Sequence, residues 1–157
     1  MWCENWWSAI YEPNKLELDI INQLTEYKDK AIAVRFHSSG DFFSKDYINM
    51  WINICKQLKH IHFWGYTRSW AVSELSELIN ELSSLENVSL YASVDPSMGK
   101  NPNQKMSITV DTYSELSAYF NKENFFVCPE QLNLVPNCAN CAQCIKKSNK
   151  SIVFIAH

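Results

Sequence analysis

Short apolar runs alternate with amphipathic stretches along most of the chain, and this alternation restricts the fold more than any other feature. Leu16, Ile20, Ile21, Leu24 and Tyr27 recur at helical spacing and predict a helix over about 14–27. Ala31 to Phe36 reads as a strand whose apolar run Arg35 interrupts. Ser44 caps a helix over about 45–59, with Ile48, Trp51, Ile52, Cys55 and Leu58 on its apolar stripe. Ile61 to Tyr66 is a second strand, and Val72, Leu75, Leu78, Ile79 and Leu82 mark a third helix. Val88 to Val94 alternates like a strand that Asp95-Pro96 ends. Residues 97–105 are a polar loop, and Ser107 to Val110 is a fourth strand. Thr112 with Glu115 predicts a capping box opening a helix over about 112–120. Phe125 to Val127 and Ile152 to Ala156 complete about six strands. This order implies right-handed crossovers and a mostly parallel sheet, open or closed into a partial (β/α) barrel. The 157 residues are too few for a complete eightfold barrel of about 250.

One domain is expected over 1–157, with an aromatic-rich start and helix in 1–30 and a cysteine loop over 128–145. Hydrophobic residues at 46% and charged residues at 20% describe a globular chain. A net charge of −3 gives no electrostatic case for nucleic acid, and three glycines leave no phosphate-binding loop. No apolar run approaches a bilayer span and Met1-Trp2-Cys3-Glu4 does not open a signal peptide, so a cytoplasmic protein without a membrane partner is expected. In a reducing compartment clustered cysteines more often ligate metal than pair as disulfides. Cys55 reads as a core thiol, and Cys3 stands apart.

In parallel α/β folds functional residues gather at the carboxyl ends of strands. Here the strands are followed by His37-Ser38-Ser39-Gly40-Asp41, by Thr67-Arg68-Ser69, by Asp95, by Asp111, by Cys128 and by His157. Asp111 fits a helix cap; Arg68 is placed to pair with Asp41 or Asp95 at the rim. His37, Asp41, Arg68 and His157 are the candidate catalytic residues.

The strongest chemical signal is C-x9-C-x2-C-x2-C: Cys128, Cys138, Cys141 and Cys144, with Pro129 and Pro136 stiffening the long spacer. Structural zinc normally uses two separated C-x2-C pairs. Three cysteines in C-x2-C-x2-C instead resemble the run that wraps a [4Fe–4S] cluster, with a remote cysteine on the fourth iron. The expected cofactor is therefore a [4Fe–4S] cluster, with zinc, or a redox thiol set without metal, as alternatives. With four cysteine ligands the centre has no open position, so its role is structural or electron transfer.

Val34-Arg35-Phe36-His37-Ser38-Ser39-Gly40-Asp41-Phe42-Phe43-Ser44, Phe63-Trp64-Gly65-Tyr66-Thr67-Arg68-Ser69, Ser93-Val94-Asp95, Cys128-Pro129-Glu130-Gln131 and the cysteine tail running into Ile152–His157 together resemble the phage and bacterial proteins named after mycobacteriophage gene product 88. The resemblance spans roughly residues 31–157. The strand–Ser-Gly-Asp-Phe turn is similar to the turn by which radical S-adenosylmethionine enzymes hold their cofactor. That likeness implies a partial barrel, cofactor-side roles for Gly40, Asp41 and Asp95, and an auxiliary cluster on the carboxyl-terminal cysteines. The chain departs from the pattern in lacking any C-x3-C-x2-C motif, so radical chemistry by this chain alone is not expected.

Three functions compete. A binding or accessory role on a host macromolecule, in the host cytosol if the chain is phage-encoded, is suggested by Trp2, Trp6, Trp7 and Tyr11. An enzyme or enzyme remnant would use the His37, Asp41 and Arg68 pocket. Nucleic-acid binding would use Lys146, Lys147 and Lys150.

Overall fold

The computed structural model describes residues 2–30, 32–95, 97–98, 105–112, 114–115, 125–146 and 150–156. In chain order the elements are α1 (Trp2–Tyr11), α2 (Pro13–Thr25), β1 (Ala33–Arg35), α3 (Lys45–Gln57), β2 (His62–Thr67), a 3-10 turn (Ser69–Ala71), α4 (Ser73–Ser84), β3 (Val88–Val94), β4 (Met106–Val110), β5 (Phe125–Val127), a one-turn helix α5 (Cys138–Cys141) and β6 (Ser151–Ile155). The predicted elements within the described residues are present, with ends shifted by a few residues. The aromatic start is itself helical, and Pro13 at the first position of α2 separates it from the next helix. The Ser44 hydroxyl caps α3 by accepting the Tyr47 N–H at 3.2 Å. The helix expected over about 112–120 lies mostly outside the described residues. Neither reciprocal bond of the expected Thr112/Glu115 box is seen among the described residues: the Glu115 carboxylate accepts the Asp111 N–H at 3.2 Å and the Thr112 hydroxyl at 3.4 Å, and the Glu115 N–H bonds the Thr112 carbonyl at 3.2 Å.

The six strands form one sheet in the order β1-β2-β3-β4-β6-β5, every neighbouring pair parallel. The sheet is open, and β6 is inserted between β4 and β5, which leaves β5 at the edge.

Twofold alternation along each strand gives the sheet two unlike faces. Val34, Phe63, Val88 and Leu90 point into the main core with Phe36, Ile48, Ile54, Ile79 and Leu82, and α2 packs its stripe of Leu16, Ile20, Ile21 and Leu24 against it. Burying each such side chain contributes about 1.5–3 kcal/mol. Gly65 lies on this face because a Cβ there would stand 3.0 Å from the Phe36 Cβ. Asn87 ties the far end of the layer together, its amide nitrogen donating to the carbonyls of Cys55, Leu58 and Ile61 at 3.0–3.2 Å. Cys55 is fully buried there, and desolvation pushes its thiol up to about 12, as a core residue requires. On the other face stand Arg35, Trp64, Tyr66, Ser93, Ser107 and Thr109, around a cavity of about 320 Å³.

Candidate metal centre and adjoining cleft

The cysteine loop closes that second face. Cys128 continues the ladder beyond β5, its N–H bonding the Val153 carbonyl at 2.9 Å. Three residues on, the Gln131 side chain acts as a surrogate strand neighbour for β6. Its oxygen accepts the Ile155 N–H at 2.9 Å and its nitrogen donates to the Ile155 carbonyl. Asn137 caps α5 by accepting the Asn140 N–H at 3.0 Å. The single turn of α5 brings Cys138 and Cys141 to one side, because residues three apart on a helix are neighbours. Ala142, with φ of 53°, then reverses the chain and returns Cys144 toward the sheet.

All four cysteines are free thiols and line the same cavity. They lie within electrostatic reach of one another. Cys144 is pushed up to about 11, first by burial, with Cys128, Cys138 and Cys141 adding to the rise and a hydrogen bond from Tyr66 opposing it. Cys138, the most exposed of the four, is raised by burial and by Glu130 and Cys128, while Arg35 acts the other way. Among the described residues, no three histidine, cysteine or carboxylate side chains are placed to hold a single metal ion. A tetrahedral zinc with bonds of about 2.3 Å needs its sulfurs about 3.8 Å apart. The donor set is thiol-rich and shares one cavity wall, but it is not drawn in to that degree.

Cys128 starts at a strand end, at the sheet edge that also carries His37 and Asp41, and the β5–β6 connection brings Cys138, Cys141 and Cys144 to a cavity that shares Arg35, Tyr66 and Ser93 with the cleft of those residues. Two residues of the opposite wall went unremarked as site residues. The Tyr66 hydroxyl donates to the Cys144 sulfur at 3.0 Å. The Arg35 guanidinium lies 5.4 Å from the Trp64 ring centroid and 5.5 Å from that of Tyr66. Their signal was Arg35 breaking an apolar strand run.

The strand-end residues form a second, shallower cleft of about 250 Å³, which shares Arg35, Tyr66 and Ser93 with the cysteine cavity. His37, Gly40, Asp41 and Arg68 all line it. Gly40 turns with φ of 82°, a conformation glycine adopts without steric cost. Asp41 is fully engaged: Oδ1 accepts the Thr67 hydroxyl at 2.6 Å and the Phe42 N–H at 2.7 Å, and Oδ2 accepts the Arg68 N–H at 2.6 Å. Its geometry is that of a clamp joining the ends of β1 and β2. Arg68 turns its side chain to Asp95 at 3.4 Å, across an exposed contact, and Asp95 also accepts the Ser97 N–H at 2.9 Å. These bonds, those of Ser97 first, hold the Asp95 carboxyl below its usual range.

His37 has φ of 34°, which costs a non-glycine residue of order 1–3 kcal/mol. Its Nε2 shares a hydrogen bond with the Tyr47 hydroxyl at 3.0 Å, and Nδ1 is buried without a hydrogen-bond partner among the described residues. Burial lowers its pKa, and Asp41 partly restores it. His157, the fourth catalytic candidate, and Lys147 lie outside the described residues. Lys146 and Lys150 are exposed beside β6. On α1, Trp6, Trp7 and Tyr11 are 56%, 50% and 68% exposed, with Trp6 against Phe43 at 4.8 Å. None of the described helices is long and apolar enough to cross a membrane.

The chain is similar to the Gene 88 protein of Mycobacterium phage D29, at 31% identity over 136 residues, covering 76% of this chain and 53% of that protein. It is also similar to the Gene 88 protein of Mycobacterium phage L5, at 34% identity over 62 residues, covering 40% of this chain and 24% of the relative. The chain thus spans about half the length of the D29 protein, and less of the L5 protein is matched. No solved structure matches it. The Gene product 88 family matches residues 4–149, which takes in most of α1, the whole Ser-Gly-Asp-Phe turn and all four clustered cysteines, and the chain belongs to that family.

Proposed function

We propose that the protein is a metal-cluster-binding accessory factor in which Cys128, Cys138, Cys141 and Cys144 hold a [4Fe–4S] centre. The observation that carries the reading is the convergence of four free thiols, from a strand end and an ordered loop, on one cavity. A four-iron cube is wider than one ion and is held by four thiolates, and four cysteines are the donors that line this cavity. When bound, the cluster supplies one-electron transfer. The protein's own residues would do the rest: Cys128 anchors the loop to β6, the turn of α5 presents Cys138 and Cys141 together, and Tyr66 orients Cys144. The accessory part of the reading rests on the three half-exposed aromatic residues of α1, which offer anchors for a host macromolecule.

Anaerobic purification with iron, sulfide and zinc analysis and a visible spectrum tests the centre. Iron and acid-labile sulfide in equal amounts, with a broad visible absorption that Cys141→Ser with Cys144→Ser abolishes, is the expected result. Zinc without sulfide would replace the cluster by the alternative metal, and neither metal would end the reading. Capture from host lysate with the full chain and with Trp6→Ser/Trp7→Ser tests the accessory role; identical capture removes it.

The adjoining cleft favours a second reading, an enzyme or enzyme remnant using His37 and Arg68. Loss of a substrate-dependent activity in His37→Gln at unchanged stability would support it. A nucleic-acid role draws only on Lys146, Lys147 and Lys150 in a chain of net charge −3, and salt-independent binding would end it.

A further inference from the structure

Four cysteines and Glu130 line the cysteine cavity, and Arg35 is its one cationic side chain among the described residues. Arg35 stands on the edge strand β1, at the other end of the sheet from β5 and Cys128, yet both line the same cavity. No carboxylate among the described residues lies within ion-pair distance of its guanidinium; its neighbours are the rings of Trp64 and Tyr66. Tyr66 in turn is fixed by Phe154 at 5.6 Å and Tyr91 at 5.7 Å, and its hydroxyl is aimed at the Cys144 sulfur. An arginine facing a cavity without a carboxylate partner, beside a hydroxyl that already donates to sulfur, is a wall built to receive negative charge.

We propose that Arg35 and Tyr66 are the charge-compensating wall of the cluster site and set the reduction potential of the centre that the cysteines hold. The inference rests on the cluster reading given above. Reduction adds one electron to a cluster already made negative by its four thiolates, and no bond breaks. The Tyr66 O–H shares its proton with the Cys144 thiolate without transferring it, and the Arg35 charge lies over the same wall. Both stabilise the reduced form more than the oxidised form, so removing either makes reduction harder. Arg35 and Tyr66 are positioning residues here, acting through the thiolates.

The test is a spectroelectrochemical titration, with an external chemical reductant, of the anaerobically reconstituted full chain. It compares the parent with Tyr66→Phe, Arg35→Lys and Arg35→Gln, and iron and sulfide content is measured on every sample. The expected result is equal cluster content with the midpoint potential moved to more negative values in Tyr66→Phe and Arg35→Gln, and restored toward the parent in Arg35→Lys. Loss of the cluster from Arg35→Gln but not from Arg35→Lys also supports the assignment, because charge and not shape is then what holds it. Unmoved potentials at full cluster content overturn this inference and leave the cluster reading standing. Cluster loss from both arginine variants, with far-ultraviolet circular dichroism unchanged, overturns it as well, since shape and not charge is then required. A parent protein that takes up no iron and sulfide at all overturns both.

Discussion

Phe63 and Trp64 are consecutive residues of one strand, yet they serve different halves of the molecule. Phe63 is fully buried among Phe36, Trp51 and the helices, whereas Trp64 faces the cysteine cavity beneath Arg35. The same division holds along β3 and β4, where Leu90, Val94 and Ile108 face apolar cores and Ser93, Ser107 and Thr109 face the cavity. Parallel sheets are ordinarily covered by helices on both sides, and their strands then read as unbroken apolar runs. Here one face is sealed by α2, α3 and α4 and the other by a loop without an apolar stripe. The alternation separates the side chains that carry stability from those that carry chemistry, so changes on one face leave the other largely intact.

The largest effect that can break this separation comes from Phe63→Ala. It removes a fully buried ring that lies 5.7 Å from Phe36 and 6.2 Å from Trp51. A loss of about 3–5 kcal/mol in urea-induced unfolding is expected, read at the midpoint with unchanged slope. A loss below about 1 kcal/mol would mean that the helix-covered face is not the principal core. Next comes Asp41→Asn, which weakens three hydrogen bonds, two of them, from Thr67 and Arg68, joining the end of β1 to the end of β2. Bonds to a charged acceptor are worth about 1.5–3 kcal/mol, so a stability loss of that order is expected from this clamp. Full stability would return Asp41 to the list of free acids available for chemistry.

The fold was legible because the alternation of periods is a local property of the chain; each helix stripe and each strand run is written in consecutive residues. The insertion of β6 between β4 and β5 was not, since strand order depends on how a long connection crosses the sheet. Cys128, Cys138, Cys141 and Cys144 could be grouped from spacing alone. Tyr66 could not be joined to them, because its bond to Cys144 links residues 78 positions apart. Arg35 offered a clue of another kind. An arginine inside a parallel strand departs from the apolar rule, and the serines, threonine and tyrosines alternating through β2, β3 and β4 depart from it in the same register. Taken together, those departures describe a polar face before any coordinate is known. Asp41 misled for the opposite reason: an acid after a strand suits catalysis and turn-clamping equally, and only its three donors distinguish them.

A smaller effect is expected from pH at the boundary between the two regions. Burial holds the His37 pKa below its ordinary 6.5, against the opposing charge of Asp41. Below pH 6.5 the unfolded chain therefore binds a proton that the folded chain resists, and stability falls as pH drops from 6.5 toward the lowered folded value. Above that window the contribution is flat. Stability compared at about pH 7.5 and about pH 5.5 should decline less in His37→Gln than in the parent. An equal decline in both would assign the pH dependence to other groups and leave His37 electrostatically idle.

The smallest expected effect is also the sharpest comparison, because it sets neighbours on one strand against each other. Ser107 is 5% exposed and Ile108 is 2% exposed, so burial alone predicts similar sensitivity. Their faces differ: Ile108 packs with Val94, Val110 and Val153, whereas Ser107 borders the cavity. Ile108→Ala leaves a void among close-packed side chains and should cost about 2–5 kcal/mol. Ser107→Ala removes one hydroxyl from a wall that already has open space before it, and a change within about 0.5 kcal/mol is expected. A Ser107→Ala cost comparable with that of Ile108→Ala would show that the cavity face is packed as tightly as the core, and the division between the two faces would then lose its energetic basis.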